Sequence, residues 1–258
     1  LAGGGADVMV DWMPSALAAR EKGLPLVNIA QPFKSSGMML TCRKDMGVNS
    51  TADLKGKTLG VWFYGNEYPF LSWMSRLGLK TDGSANGVTV LRQGWGVEPL
   101  TEGQAACVST MSYNEYWVVR DAGYSPEQLT VFKYQSEGAA TLEDGLYVHE
   151  KNLSDAAFKD KMVRFVRASM KGWKYAEANP KEAAMIILDN DDAGVQTEKH
   201  QVRMMGEIAK LTAGSNGSLD PADYERTVKV LMSGDSDPVI TKKPSGAWTN
   251  EITNAALN

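Results

Sequence analysis

The stretch running from Leu59 through Gly-Val-Trp-Phe-Tyr-Gly-Asn-Glu-Tyr-Pro to Phe70 constrains this chain most, because it reads as a buried strand that stops in a polar turn before a new helix. The apolar run Leu59, Val61, Trp62 and Phe63 suits a strand covered on both faces, and Gly65 allows a sharp turn or a close approach to a bound molecule. Pro69 is expected in the first turn of a helix that continues through Leu71, Trp73, Met74 and Leu77. In open α/β sheets ligands bind where strands end and helix N-termini offer free N–H groups. Taken alone, the stretch reads as an ordinary βα turn; recurrence elsewhere in the chain is what gives it weight.

That recurrence is visible. Ala6 to Val10 reads as a strand ending at Asp11-Trp12, before a helix from about Pro14 to Arg20. Val88 to Leu91 leads to Gln93-Gly94-Trp95-Gly96, and Ala105 to Met111 leads to Ser112-Tyr113-Asn114-Glu115. A fourth return over Gly138 to Val148 contains Leu142-Glu143-Asp144-Gly145. Further strands are expected at Leu24–Ala30, Gly37–Cys42 and Thr130–Tyr134, so short strands alternate with helices and the fold class is α/β. After Ser154, read as a helix cap, the chain turns helical. Phe158, Met162, Phe165, Val166, Met170 and Trp173 share one helical face, and further helices fit 181–188, 197–211 and 221–232 after the break at Asn179-Pro180.

With 258 residues, 43% of them hydrophobic, the chain can bury one large core or two modest ones. A net charge of −4 argues against a nucleic-acid or anionic-membrane partner, and no apolar run approaches the roughly 20 residues that span a bilayer. Cys42 and Cys107, far apart and without metal-ligand spacing, could form a bridge only if the fold brings them together, and two buried free thiols are the preferred reading. The two histidines, His149 and His200, have no partner in sequence that would make an acid–base or metal site, and nucleotide-loop, nucleophile-elbow and zinc-protease motifs are absent. Asp189 to Asp192 lacks the full calcium-loop spacing and reads as a solvated loop. No catalytic residue, metal or cofactor is expected.

What remains is a set of aromatics, amides and carboxylates at strand ends: Trp12, Tyr64, Gly65, Asn66, Glu67, Trp95, Tyr113, Asn114, Glu115, Glu143 and Asp144. Aromatic faces stack on planar heterocycles, while carboxylates and amides read ring nitrogens and exocyclic amines. These eleven are the candidate ligand-binding residues.

Asp53-Leu-Lys-Gly-Lys-Thr-Leu-Gly-Val61, Gly65-Asn-Glu-Tyr-Pro69, Met111-Ser-Tyr-Asn-Glu115, Leu142-Glu-Asp-Gly145 and the block from Gly172 to Ala183 together resemble the NMT1/THI5-like substrate-binding proteins of ABC importers. The resemblance implies a two-lobed periplasmic-binding-protein fold of type II that closes on its ligand by hinge motion. One lobe would hold residues 1–42 and 142–258, the other residues 43–141. The family's fold normally begins with a strand, helix and strand ahead of the point matching Leu1. Leu1 to Gly5 reads as a helix tail, so an earlier segment with any export signal is expected to precede this sequence.

The resemblance further implies a monomeric, extracytoplasmic protein that hands a small heterocycle, a thiamine-pyrimidine precursor, to a permease. Trp12 or Tyr113 would stack on the ring, Glu115 or Glu143 would pair with its aminopyrimidine edge, and Trp12, Tyr113 and Glu143 would converge on one ligand. Riboflavin, a sulfonate or another small solute are alternative ligands. Gly65 to Tyr68 match a loop that binds phosphate in the yeast-type pyrimidine synthases, but Glu67 disfavours a phosphate there. Those synthases also carry a cysteine-rich C-C-C-F-C motif, absent around Cys42 and Cys107, which ranks the enzyme reading below a binding protein.

Overall fold

The computed structural model describes residues 1, 3–233 and 238–257. Along the chain run β1 (Met9–Asp11), α1 (Met13–Glu21), β2 (Leu26–Ala30), β3 (Met38–Arg43), β4 (Thr58–Val61) and α2 (Glu67–Arg76). They are followed by β5 (Thr89–Arg92), α3 (Glu98–Thr101), β6 (Cys107–Met111), α4 (Glu115–Asp121), β7 (Leu129–Lys133) and β8 (Gly145–His149). Helices α5 (Ala156–Ala178), α6 (Pro180–Asp189), α7 (Glu198–Thr212), α8 (Pro221–Met232) and α9 (Glu251–Leu257) complete the set. The α/β alternation and the helical second half agree with the sequence reading. The elements group into two compact units.

The first unit comprises Leu1–Ser36, Thr141–Met232 and Val239–Asn258. Its sheet has the order β1-β8-β2, with β8 antiparallel to both neighbours. Val27, Ile29, Leu146 and Val148 bury against Phe158, Met162, Val166 and Met170 of α5 and Ile252 and Ala256 of α9. The four-residue spacing along α5 keeps those side chains on one stripe. Phe165, expected on that stripe, lies at its edge and stays 41% exposed. The cap also differs: Ser154 donates its hydroxyl to the Lys151 carbonyl within a preceding 3-10 turn, and Asp155 accepts the Ala157 N–H at 2.9 Å. Asp155 caps the helix because its carboxylate reaches the free N–H two residues on.

The second unit is built on Gly37–Ala140. Its five strands have the order β5-β4-β6-β3-β7. Strand β4 is parallel to β5 and β6, while β3 runs antiparallel to β6 and β7. The carboxyl ends of β5, β4 and β6 therefore share one edge of the sheet. Buried Trp73 of α2 meets the edges of Phe132 and Tyr134, at ring separations of 5.8 and 5.3 Å. Gly60 lets β4 approach β6, since a Cβ there would stand 2.9 Å from the Val108 side chain. Helix α2 starts at Glu67, two residues before Pro69, which is tolerated because the first four helical N–H groups have no intrahelical partner.

The reading of two free thiols is corrected. Cys42 and Cys107 are register partners on β3 and β6 and form a disulfide. The Arg43 N–H donates to the Ala106 carbonyl, which makes the cysteines a non-hydrogen-bonded antiparallel pair, the position where side chains approach most closely. A sequence separation of 65 residues concealed this pairing.

Candidate functional site

On the first unit, β1 ends at Asp11 opposite Gly145 of β8. This register brings the Asp11-Trp12 corner beside Leu142-Glu143-Asp144. Asp11 accepts the Trp12 backbone N–H at 2.8 Å, and the Trp12 indole N–H lies close enough to the Asp144 carboxyl to favour its ionised form. Burial raises the pKa of Asp144 and outweighs the hydrogen bonds from its own backbone N–H and from Trp12. Asp11 is likewise raised, by burial first, opposed by the Trp12 N–H and reinforced by the Asp144 charge. Half-buried Trp12 thus adjoins two carboxyl groups whose pKa values are both raised by burial.

Glu143 is almost fully enclosed, 1% exposed, and accepts the Ser36 hydroxyl at 2.6 Å. Its backbone is held by Gln31, whose amide nitrogen donates to the Glu143 and Asp144 carbonyls at 2.9 and 3.2 Å. Gln31 in turn accepts from Asn28 at 3.0 Å. Gly145 makes room for this clamp, because a Cβ there would stand 2.4 Å from the Asn28 amide nitrogen. Asp11, Asn28 and Gln31 were absent from the sequence-derived set. Asp11 could have been found as the carboxylate that closes the first strand; Asn28 and Gln31 read only as strand and loop.

On the second unit, three strand ends carry the other candidates. After β4, Tyr64 takes φ +66°, the one non-glycine positive φ among the described residues, and is 89% exposed. Gly65 is buried at φ +107° and donates its N–H to Glu67 at 2.7 Å, so this loop's amide is already engaged by its own carboxylate. Asn66 precedes α2 without a side-chain capping bond. After β5, Gln93 is buried, exchanges hydrogen bonds with Ser109 and donates to the Gly96 carbonyl, while Trp62 donates to the Gly94 carbonyl at 3.0 Å. This leaves Trp95, between the two glycines, 96% exposed.

After β6, Tyr113 is half-buried and Glu115 turns inward. One Glu115 oxygen accepts the Met111 N–H at 2.9 Å and the other accepts the Asn114 amide at 2.7 Å. Burial raises its pKa, with those bonds opposing. Glu115 and Asn114 therefore brace the strand-to-helix corner, whereas Trp12, Glu143 and Asp144 gather at a single corner of the first unit.

Residues 1–183 match the family described as NMT1/THI5 like. The chain belongs to the NMT1/THI5-like family. Among its relatives is a formylaminopyrimidine-binding protein of Halalkalibacterium halodurans, 23% identical over 261 residues, an alignment covering 96% of this chain and 76% of that protein. A solved structure from Bordetella bronchiseptica RB50 superposes with a TM-score of 0.71 at 20% identity, covering 99% of this chain and 81% of that one. The periplasmic aliphatic sulphonate binding protein SsuA of Escherichia coli gives a TM-score of 0.59 at 13% identity, covering 88% and 70%. The fold is accordingly that of the periplasmic binding proteins. Family membership agrees with the resemblance drawn from the sequence blocks.

Proposed function

We propose that this protein is the extracytoplasmic solute-binding component of an ABC importer and that it binds a thiamine-pyrimidine precursor of the hydroxymethylpyrimidine type. The observation that carries the ligand reading is the corner of the first unit where Trp12 donates its backbone N–H to Asp11 and sets its indole beside Asp144. A planar ring can lie on the indole while carboxyl oxygens accept from its amino group. On the second unit the proposed contacts are Tyr64, Trp95 and Tyr113. The relative named for formylaminopyrimidine binding supports the same ligand class.

The import role follows the solute-binding proteins of this family, with a membrane permease as the partner. The ligand would be delivered chemically unchanged, and the protein would act as a monomer. The Cys42–Cys107 disulfide favours an oxidising compartment outside the cytoplasm.

A thermal-shift panel of hydroxymethylpyrimidine, thiamine, riboflavin, a sulfonate and a polyamine tests the reading, because a ligand that binds only the folded state raises the melting temperature. Hydroxymethylpyrimidine should stabilise the wild type and lose that effect in Asp144→Ala. Stabilisation by the sulfonate or riboflavin alone would replace the ligand class, and no stabilisation by any compound would remove the importer reading's chemical basis.

A further inference from the structure

Arg92, the last residue of β5, is exposed, and its guanidinium carbon lies 5.2 Å from the Phe63 ring centroid and 5.0 Å from that of Tyr64. Among the described residues no hydrogen bond or ion pair engages this guanidinium. The guanidinium carbon sits over both rings, and the group's N–H donors form a planar fork that a two-oxygen acceptor can meet in parallel. Held this way, the fork has less freedom to lose on binding than a loose side chain.

The surroundings point the same way. Val61 and Arg92 are register partners on parallel strands, so Phe63, Tyr64 and Trp95 all follow strand ends on one edge. Tyr64 occupies left-handed backbone while almost fully exposed, and its ring lies 5.0 Å from the Arg92 guanidinium carbon. Non-glycine residues in such conformations cluster at ligand-binding sites. The Gly65 N–H, the donor that an anion would otherwise seek in this loop, is occupied by Glu67. Arg92 is left as the oxyanion donor of this edge.

We infer that the edge formed by Tyr64, Arg92 and Trp95 on the second unit binds an oxyanion carried by a planar molecule, with Arg92 donating to a carboxylate or phosphate ester and Trp95 offering its ring face. The inference deepens the proposed function and rests on it only in taking that molecule to be a pyrimidine.

Calorimetric titration of the full chain decides it, with hydroxymethylpyrimidine, its phosphate monoester, the corresponding pyrimidine carboxylate and phenyl phosphate as probes. At least one charged pyrimidine should bind about tenfold tighter than the neutral one, the scale of a charge-assisted hydrogen bond. Arg92→Gln should bring that ratio to about one, and Arg92→Lys should restore part of it, since it keeps the charge without the fork. Which charged pyrimidine gains identifies the oxyanion. Charged pyrimidines that bind wild type no better than the neutral one, or a ratio that survives Arg92→Gln, would overturn the inference. If no pyrimidine binds, the proposed function falls and phenyl phosphate decides alone: binding lost in Arg92→Gln upholds the oxyanion site, and absent or Arg92-independent binding overturns it.

Discussion

Asp11 and Asp144, far apart in sequence, meet at the same residue: the Trp12 backbone N–H donates to Asp11 at 2.8 Å, and its indole N–H acts on the Asp144 carboxyl. The corner is held from behind by Gln31, which donates to the carbonyls of Glu143 and Asp144. Any ligand that pairs with these carboxyl groups meets acceptors already oriented, so less conformational freedom is lost on binding.

Replacing Trp12 with Phe keeps a ring for stacking and removes the indole N–H beside the Asp144 carboxyl. A hydrogen bond to a charged group is worth roughly 1.5–3 kcal/mol, so hydroxymethylpyrimidine affinity measured by calorimetry should fall about tenfold or more. An unchanged affinity would show that this bond takes no part in recognition.

The same carboxyl groups make a signed prediction for pH. Asp11 and Asp144 have folded pKa values raised above the ordinary 3.8, so the folded state binds more protons than the unfolded state across that interval. Their contribution to stability is therefore greatest below 3.8 and is lost as pH rises through each raised value. Asp144→Asn removes the buried charge, and its melting temperature relative to wild type should improve as pH rises from below 3.8 through the raised value. A difference that stays constant with pH would contradict the raised value.

The Cys42–Cys107 bridge joins residues 65 apart, for which chain-entropy reasoning gives a contribution of about 4 kcal/mol. Urea unfolding with and without reductant should show a drop of roughly 2–4 kcal/mol. Thiol titration of the unreduced, denatured protein should find no free cysteine; two free thiols would restore the sequence-based reading.

Gly145→Ala would drive a methyl group to 2.4 Å from the Asn28 amide nitrogen and 2.6 Å from the Gln31 amide oxygen. Overpacking of this kind costs about 1–3 kcal/mol. Denaturant unfolding should report that loss, together with weaker pyrimidine binding because Gln31 positions the Glu143 and Asp144 carbonyls. Wild-type stability in the variant would mean that the clamp yields freely.

Much of the architecture was legible in one dimension because local chemistry decides it. The strand read through Leu59, Val61, Trp62 and Phe63, which in the structure ends at Val61, the four-residue apolar spacing of Phe158, Met162, Val166 and Met170, and the break at Asn179-Pro180 all depend on burial and backbone preferences of near neighbours. The strand ends holding Trp12, Trp95 and Asp144 were readable for the same reason, as was the family resemblance. What the sequence by itself determined is the order of elements and the residues at their ends.

Register and side-chain direction belong to the tertiary structure. Glu115 follows β6 and Asp144 precedes β8, and in sequence both look like carboxylates at a strand end, yet Glu115 has both oxygens committed to Met111 and Asn114 while Asp144 faces Trp12. Cys42 meets Cys107 only because β3 lies against β6 in one register, and Arg92 reaches Phe63 and Tyr64 only because β5 lies beside β4. These pairings join residues distant along the chain, and a shift of one residue in either strand would send every side chain to the opposite face. Only the assembled sheets select among such alternatives, because the burial that favours one register is shared by many residues at once.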